Sequence, residues 1–112
     1  MDEYDLYMEL RHKTDELNDA IASLKKTGRD RATTERDYKV LLRKNCLKMR
    51  ADGMAIGMID KCCFGVPEVA DARLNRDIAD SVYTANLEAI NSIKLQLRLI
   101  ESQIEREWSN TK

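Results

Sequence analysis

Glycine and proline are scarce in this chain: four Gly and one Pro in 112 residues, and neither anywhere in residues 68–112. Gly costs a helix interior about 1 kcal/mol and Pro about 3 kcal/mol, so their absence permits long uninterrupted helices. Gly53, Gly57, Gly65 and Pro67 share one short window, which leaves Gly28 as the single breaker elsewhere. The pattern predicts helix, complex turn, helix. Aromatic residues are also few, at 5%, and no β-branched or aromatic run is bounded by turn residues, which excludes a sheet protein. The strand-like alternation Lys94–Leu99 lies inside a helical pattern and reads as helix.

Other absences narrow the function. No apolar run approaches the ~18 residues of a membrane span. The first residues are acidic and lack the basic-then-apolar layout of a signal peptide, and three cysteines are a poor basis for a secreted disulfide framework. The expected location is the cytoplasm. There is no Gly-rich phosphate loop, no G-x-S-x-G and no acidic cluster with metal-ligand spacing. His12 is the one histidine and no C-x-x-C pair exists, whereas structural zinc takes about four ligands. Cys62 and Cys63 are adjacent and Cys46 is distant in sequence; a nucleophilic cysteine would need a base within reach, so these read as small buried residues. Glu101, Glu105 and Glu107 read as ordinary surface partners for Arg98 and Arg106. The expectation is a non-enzymatic protein with no cofactor and no metal. A net charge of −1 selects no partner globally.

What remains is charge (35% Asp, Glu, Lys and Arg) and helical periodicity. Tyr7, Leu10, Thr14, Leu17, Ile21 and Leu24 alternate at three- and four-residue intervals, a seam meant for another helix. Near residues 28–33 the first helix either continues with a kink or stops and restarts with Asp30 or Thr34 as cap. It then runs to about residue 51, with Gly53 as its stop, and places Tyr38, Leu42, Cys46 and Met49 on one arc. Pro67 suits the first turn of a long helix, about 67–108, whose seam is Ile90, Ile93, Leu97, Ile100 and Ile104, extended by Tyr83 and Trp108. The fold expected is all-α: one domain, a long antiparallel, coiled-coil-like helical hairpin with a short tip helix at 54–64. Leu95 and Leu99 project from the far side of the last helix. A rod apolar on two sides predicts a homodimeric bundle with Leu95, Leu99, Ile100, Ile104 and Trp108 at the interface.

The most suggestive surface is basic. Between Lys25 and Arg50, ten basic residues face three acids. Arg29, Arg36, Arg43 and Arg50 recur every seven residues opposite the apolar arc, with Val40 and Leu47 among them. Such a stripe can follow a phosphate backbone. It is also where an amphipathic helix keeps solvated charge, and Asp71, Asp77, Asp80 and Glu88 of an antiparallel partner would lie nearby to neutralise it. Val40 and Leu47 favour a protein interface, where Arg and apolar side chains mix. At the tip, Met54, Ile56, Met58, Ile59, Cys62, Cys63 and Phe64 read as a plug for the hairpin end, with an exposed Met-rich docking patch as the alternative. The tip with Val66–Ala70 faintly resembles a helix-turn-helix, but it is one residue too long there, and Glu68 and Asp71 repel phosphate.

Three stretches carry a family resemblance: Met49-Arg50-Ala51-Asp52-Gly53, then Val66-Pro67-Glu68-Val69-Ala70-Asp71-Ala72-Arg73, then Leu87–Asn91 through Gln103–Trp108. Together they resemble small uncharacterised helical proteins encoded by phages and prophages of Gram-positive bacteria, often among early replication or recombination genes. The likeness covers about the last 60 residues and departs from the group at Cys62-Cys63. It implies a phage setting and an accessory role, and transfers no functional residue. The leading expectation is therefore an accessory protein that binds another protein, from replication or recombination machinery or a host defence system. The alternatives are a nucleic-acid binder using the arginine stripe and a structural coiled-coil oligomer.

Overall fold

The computed structural model describes residues 2–111. The chain is all-α, a helical hairpin of α1 (Glu3–Ala51), α2 (Ile56–Cys62), one 3₁₀ turn (Cys63–Gly65) and α3 (Pro67–Thr111). Asp2 caps α1 by accepting a 2.8 Å hydrogen bond from the Asp5 amide, and Glu3 and Asp5 put negative charge at the positive end of the helix dipole.

Helix α1 does not stop at Gly28. It continues for 49 residues, because one glycine costs little against the hydrogen bonds on either side. Thr34 is not a cap: its hydroxyl donates back to the Asp30 carbonyl at 2.8 Å inside the helix. The helix ends at Ala51 in a Schellman turn. The Met54 amide bonds the Met49 carbonyl and the Gly53 amide bonds the Arg50 carbonyl, each at 3.0 Å, with Gly53 at φ +87°. Pro67 opens α3 with Val66 in extended conformation before it. The tip helix is shorter than 54–64, since its last turn tightens to 3₁₀ geometry at Cys63–Gly65.

Contacts divide the chain into two compact units, Thr27–Tyr83 and Met1–Lys26 with Thr84–Lys112. In the Thr27–Tyr83 unit, Arg31 pairs with Asp80, Glu35 with Arg76 and Asn45 with Glu68, the descending order of antiparallel helices. Its core is Tyr38, Val69 and Ala72, with Leu41, Leu42 and Val66 against them. Ile59 and Cys63 are buried from the tip.

In the other unit the buried residues are Leu6, Ile90 and Ile100. The α1 seam here is Leu6, Leu10, Lys13, Leu17, Ala20 and Leu24. This corrects half of the expected seam: Tyr7 is 64% exposed and Ile21 46%, and Thr14 is exposed as well. Two adjacent heptad registers share Leu10, Leu17 and Leu24, and periodicity alone does not choose between them. Pairing with α3 decides it, and Ala20 lies on the paired face, where its carbonyl accepts a 2.9 Å hydrogen bond from Asn86 Nδ2. On α3, Ile90, Ile93, Leu97, Ile100 and Ile104 form the seam as expected, and Glu107 continues it in place of Trp108, which is 55% exposed.

Candidate interaction surfaces

The seven-residue arginine repeat lies on α1 of the Thr27–Tyr83 unit, and all four arginines are exposed. Val40 and Leu47 between them are 59% and 54% exposed. Both sit on the side of the helix away from Tyr38, Leu41 and Asn45, which explains why the hairpin leaves them uncovered. Arg36 makes a 3.0 Å pair with the neighbouring Asp37, while among the described residues Arg29, Arg43 and Arg50 have no ion-pair partner.

Among the described residues none of the α3 acids Asp71, Asp77, Asp80 and Glu88 forms an ion pair with the four arginines of the stripe. Asp80 is taken by Arg31 at 2.7 Å and Asp77 by Arg76 at 2.9 Å. Arg31 and Arg76 belong to the inner face of the hairpin, where Arg31 stacks on Tyr83 with 5.0 Å to the ring centre and Arg76 on Tyr38 with 4.4 Å. The hydrogen bond from Arg76 to Asp77 holds its guanidinium charged above the usual range. An open groove of about 550 Å³ runs beside Arg31, Glu35, Arg76, Asp80 and Tyr83. Its guanidinium groups are already matched by carboxylates and rings, so it is a self-neutralised polar stretch of the seam. Sequence reasoning missed it because Arg31 and Arg76 look like surface charge until the helices are paired.

The outer face of α3 carries a second set of uncovered side chains. Leu95 is 51% exposed and Leu99 60%, and in the Thr27–Tyr83 unit Leu74, Ile78 and Val82 are exposed at four-residue intervals. Ile100 and Ile104, grouped above with the outer set, instead lie on the inner seam: Ile100 is buried and Ile104 half-buried. The chain matches no family model, no curated protein and no solved structure. The surfaces must therefore be read from their own chemistry.

The tip is divided. Ile59 and Cys63 are buried and Met54 and Cys62 half-buried, whereas Ile56, Met58 and Phe64 are exposed, with Arg73 stacked 5.8 Å from the Phe64 ring centre. It is a plug with an apolar outer rim. The structure also brings together what the sequence holds apart: Cys46 on α1 lies near enough to act on the Cys63 thiol, which itself donates to the Asp60 carbonyl at 4.0 Å. Burial first, then Cys46, pushes the Cys63 thiol up. All three cysteines are free. A further residue the sequence did not flag is Asn45, buried on α1. Its Nδ2 donates to the Leu41 carbonyl at 2.8 Å and to Glu68 Oε1 at 2.7 Å, tying α1 to the first turn of α3. Among the described residues no group of His, Cys, Asp or Glu is arranged to hold a metal ion, and no helix is long and apolar enough to cross a membrane.

Proposed function

We propose that this is a non-enzymatic accessory protein of a phage or prophage that acts in the bacterial cytoplasm by binding another protein. The observation that carries the binding role is the set of large apolar side chains that the hairpin leaves exposed. Among the described residues sixteen large apolar side chains are exposed, and Val40 and Leu47 on α1 and Leu74, Ile78, Val82, Leu95 and Leu99 on α3 recur at helical spacing on outer faces. Solitary exposed apolar residues need no explanation, but repeated ones on one face mark surfaces for a partner. The phage setting rests on the resemblance in the last 60 residues, and a component of replication, recombination or host defence is the class of partner that setting suggests. Affinity capture from infected or lysogenic Gram-positive cells tests the reading. One partner retained by the wild type and lost by Val40→Asp/Leu47→Asp or Leu95→Asp/Leu99→Asp is the expected result. Absence of any specific partner counts against it.

A second reading has its own observation: among the described residues Arg29, Arg43 and Arg50 have no ion-pair partner, which suits a phosphate backbone. Mobility shift on single- and double-stranded DNA at low and moderate salt separates the two. Shift at low salt that disappears when these arginines become glutamate favours nucleic acid, and no shift at low salt rejects it. Self-association through Leu95, Leu99 and Trp108 into a dimeric bundle is compatible with either partner.

A further inference from the structure

The outer face of α1 has more order than a basic stripe. Arg29, Thr33, Arg36, Val40, Arg43, Leu47 and Arg50 follow one another at strictly alternating intervals of four and three. That is the spacing of a coiled-coil seam, with Arg at one seam position and Thr or an aliphatic residue at the other. The same stretch of α1 already carries an inner seam through Arg31, Thr34, Tyr38, Leu41 and Asn45, which α3 fills. The helix is thus built with two seams, and the second is uncovered except at the half-buried Thr33.

Its chemistry selects among occupants. A second copy docking through the same face would set arginine against arginine in every heptad if parallel, and arginine against Thr33, Val40 and Leu47 if antiparallel; the first repels and the second leaves the charges unmatched. In the Thr27–Tyr83 unit the α3 stretch of a second copy offers Leu74 and Ile78, but of its four acids Glu68, Asp77 and Asp80 are engaged by Asn45, Arg76 and Arg31, which leaves Asp71. A phosphate backbone would satisfy the arginines yet leave Val40 and Leu47 against charge, with no apolar surface to meet them. An amphipathic helix with aliphatic residues at one seam position and Asp or Glu beside the arginines satisfies both sets. Resting on the protein-binding reading above, we propose that the Arg29–Arg50 seam docks an acidic amphipathic helix of another protein. From Arg29 to Arg50 the seam extends about 32 Å, which calls for about three heptads of partner helix.

The test uses the full-length protein and two synthetic helical peptides of about 28 residues, identical except for Glu or Lys at one seam position, with Leu at the other. By fluorescence anisotropy, the Glu peptide is expected to bind at least about tenfold more tightly than the Lys peptide. Arg36→Glu/Arg43→Glu should reverse that preference. Val40→Ser/Leu47→Ser should weaken the Glu peptide about tenfold while leaving the thermal melt unchanged, because neither side chain is part of the hairpin core. Equal binding of both peptides overturns the proposal. So does tighter binding of a single-stranded DNA oligonucleotide that is indifferent to Val40→Ser/Leu47→Ser, which assigns the face to nucleic acid. Wild-type self-association abolished by Val40→Ser/Leu47→Ser assigns it to a second copy and also overturns it. Photo-crosslinking groups at Leu47 and Leu99 in cells keep the two readings apart. A partner captured at Leu99 alone removes this inference and leaves protein binding standing, whereas capture at neither removes both.

Discussion

Asn45 ties the two long helices of the Thr27–Tyr83 unit together through one buried side chain. Buried polar groups are stable only while hydrogen-bonded, and its side-chain nitrogen serves both Leu41 and Glu68. Replacing Asn45 by Ala should cost about 1–2 kcal/mol in urea unfolding. Asn45→Asp should cost more at pH 7, because it sets a carboxylate where Glu68 Oε1 now accepts a bond. The folded state would then hold one carboxylate proton more tightly than the unfolded chain does. The excess cost should therefore shrink as pH falls toward the ordinary carboxylate range, and a pH-independent gap between the two variants would contradict this account. Cys63 makes a related case. Burial raises its pKa, so the unfolded chain loses the proton first and stability falls as pH rises past the ordinary thiol range. Cys63→Ala should flatten that alkaline decline, and thiol alkylation at mild pH should reach the half-buried Cys62 before Cys63. Neither role was legible in the sequence, since each depends on a partner 17 or more positions away.

At the scale of elements, the helices were legible and their faces only partly so. Breaker residues placed the end of α1, the tip and the start of α3, because Gly and Pro act through local backbone geometry that needs no tertiary partner. Gly53→Ala should destabilise by about 1 kcal/mol, since the left-handed conformation at φ +87° is strained for any side chain. Gly57→Ala, inside α2 with open space around the added carbon, should instead stabilise by up to about 1 kcal/mol, and paired thermal melts check the opposite signs. The seam was a harder matter. Leu6 is buried and Tyr7 is not, although both sit beside Leu10 in the repeat. Leu6→Ala should therefore cost about 2–5 kcal/mol and Tyr7→Ala under about 0.5 kcal/mol in denaturant unfolding. The reverse ranking would restore the register built on Tyr7, Thr14 and Ile21.

For the whole molecule, the question is what covers the outer faces. Leu95 and Leu99 lie on α3 away from Ile93, Leu97 and Ile100, so the hairpin cannot bury them itself. Under the proposed self-association, Leu95→Ser/Leu99→Ser should shift sedimentation toward the monomer without changing helix content, and an unchanged distribution would remove these residues from any dimer interface. The helical class, the hairpin order and the seven-residue arginine repeat follow from the order of residues alone, because propensity, breakers and periodicity are local properties read along one chain. Only the tertiary structure decided which of two adjacent registers α1 uses, and that Arg31 and Arg76 spend Asp80 and Asp77 on the inner face. It also left Arg29, Arg43 and Arg50 without an ion-pair partner among the described residues. Those outcomes turn on which side chains a neighbouring helix brings within reach, and spacing along one helix carries no record of that.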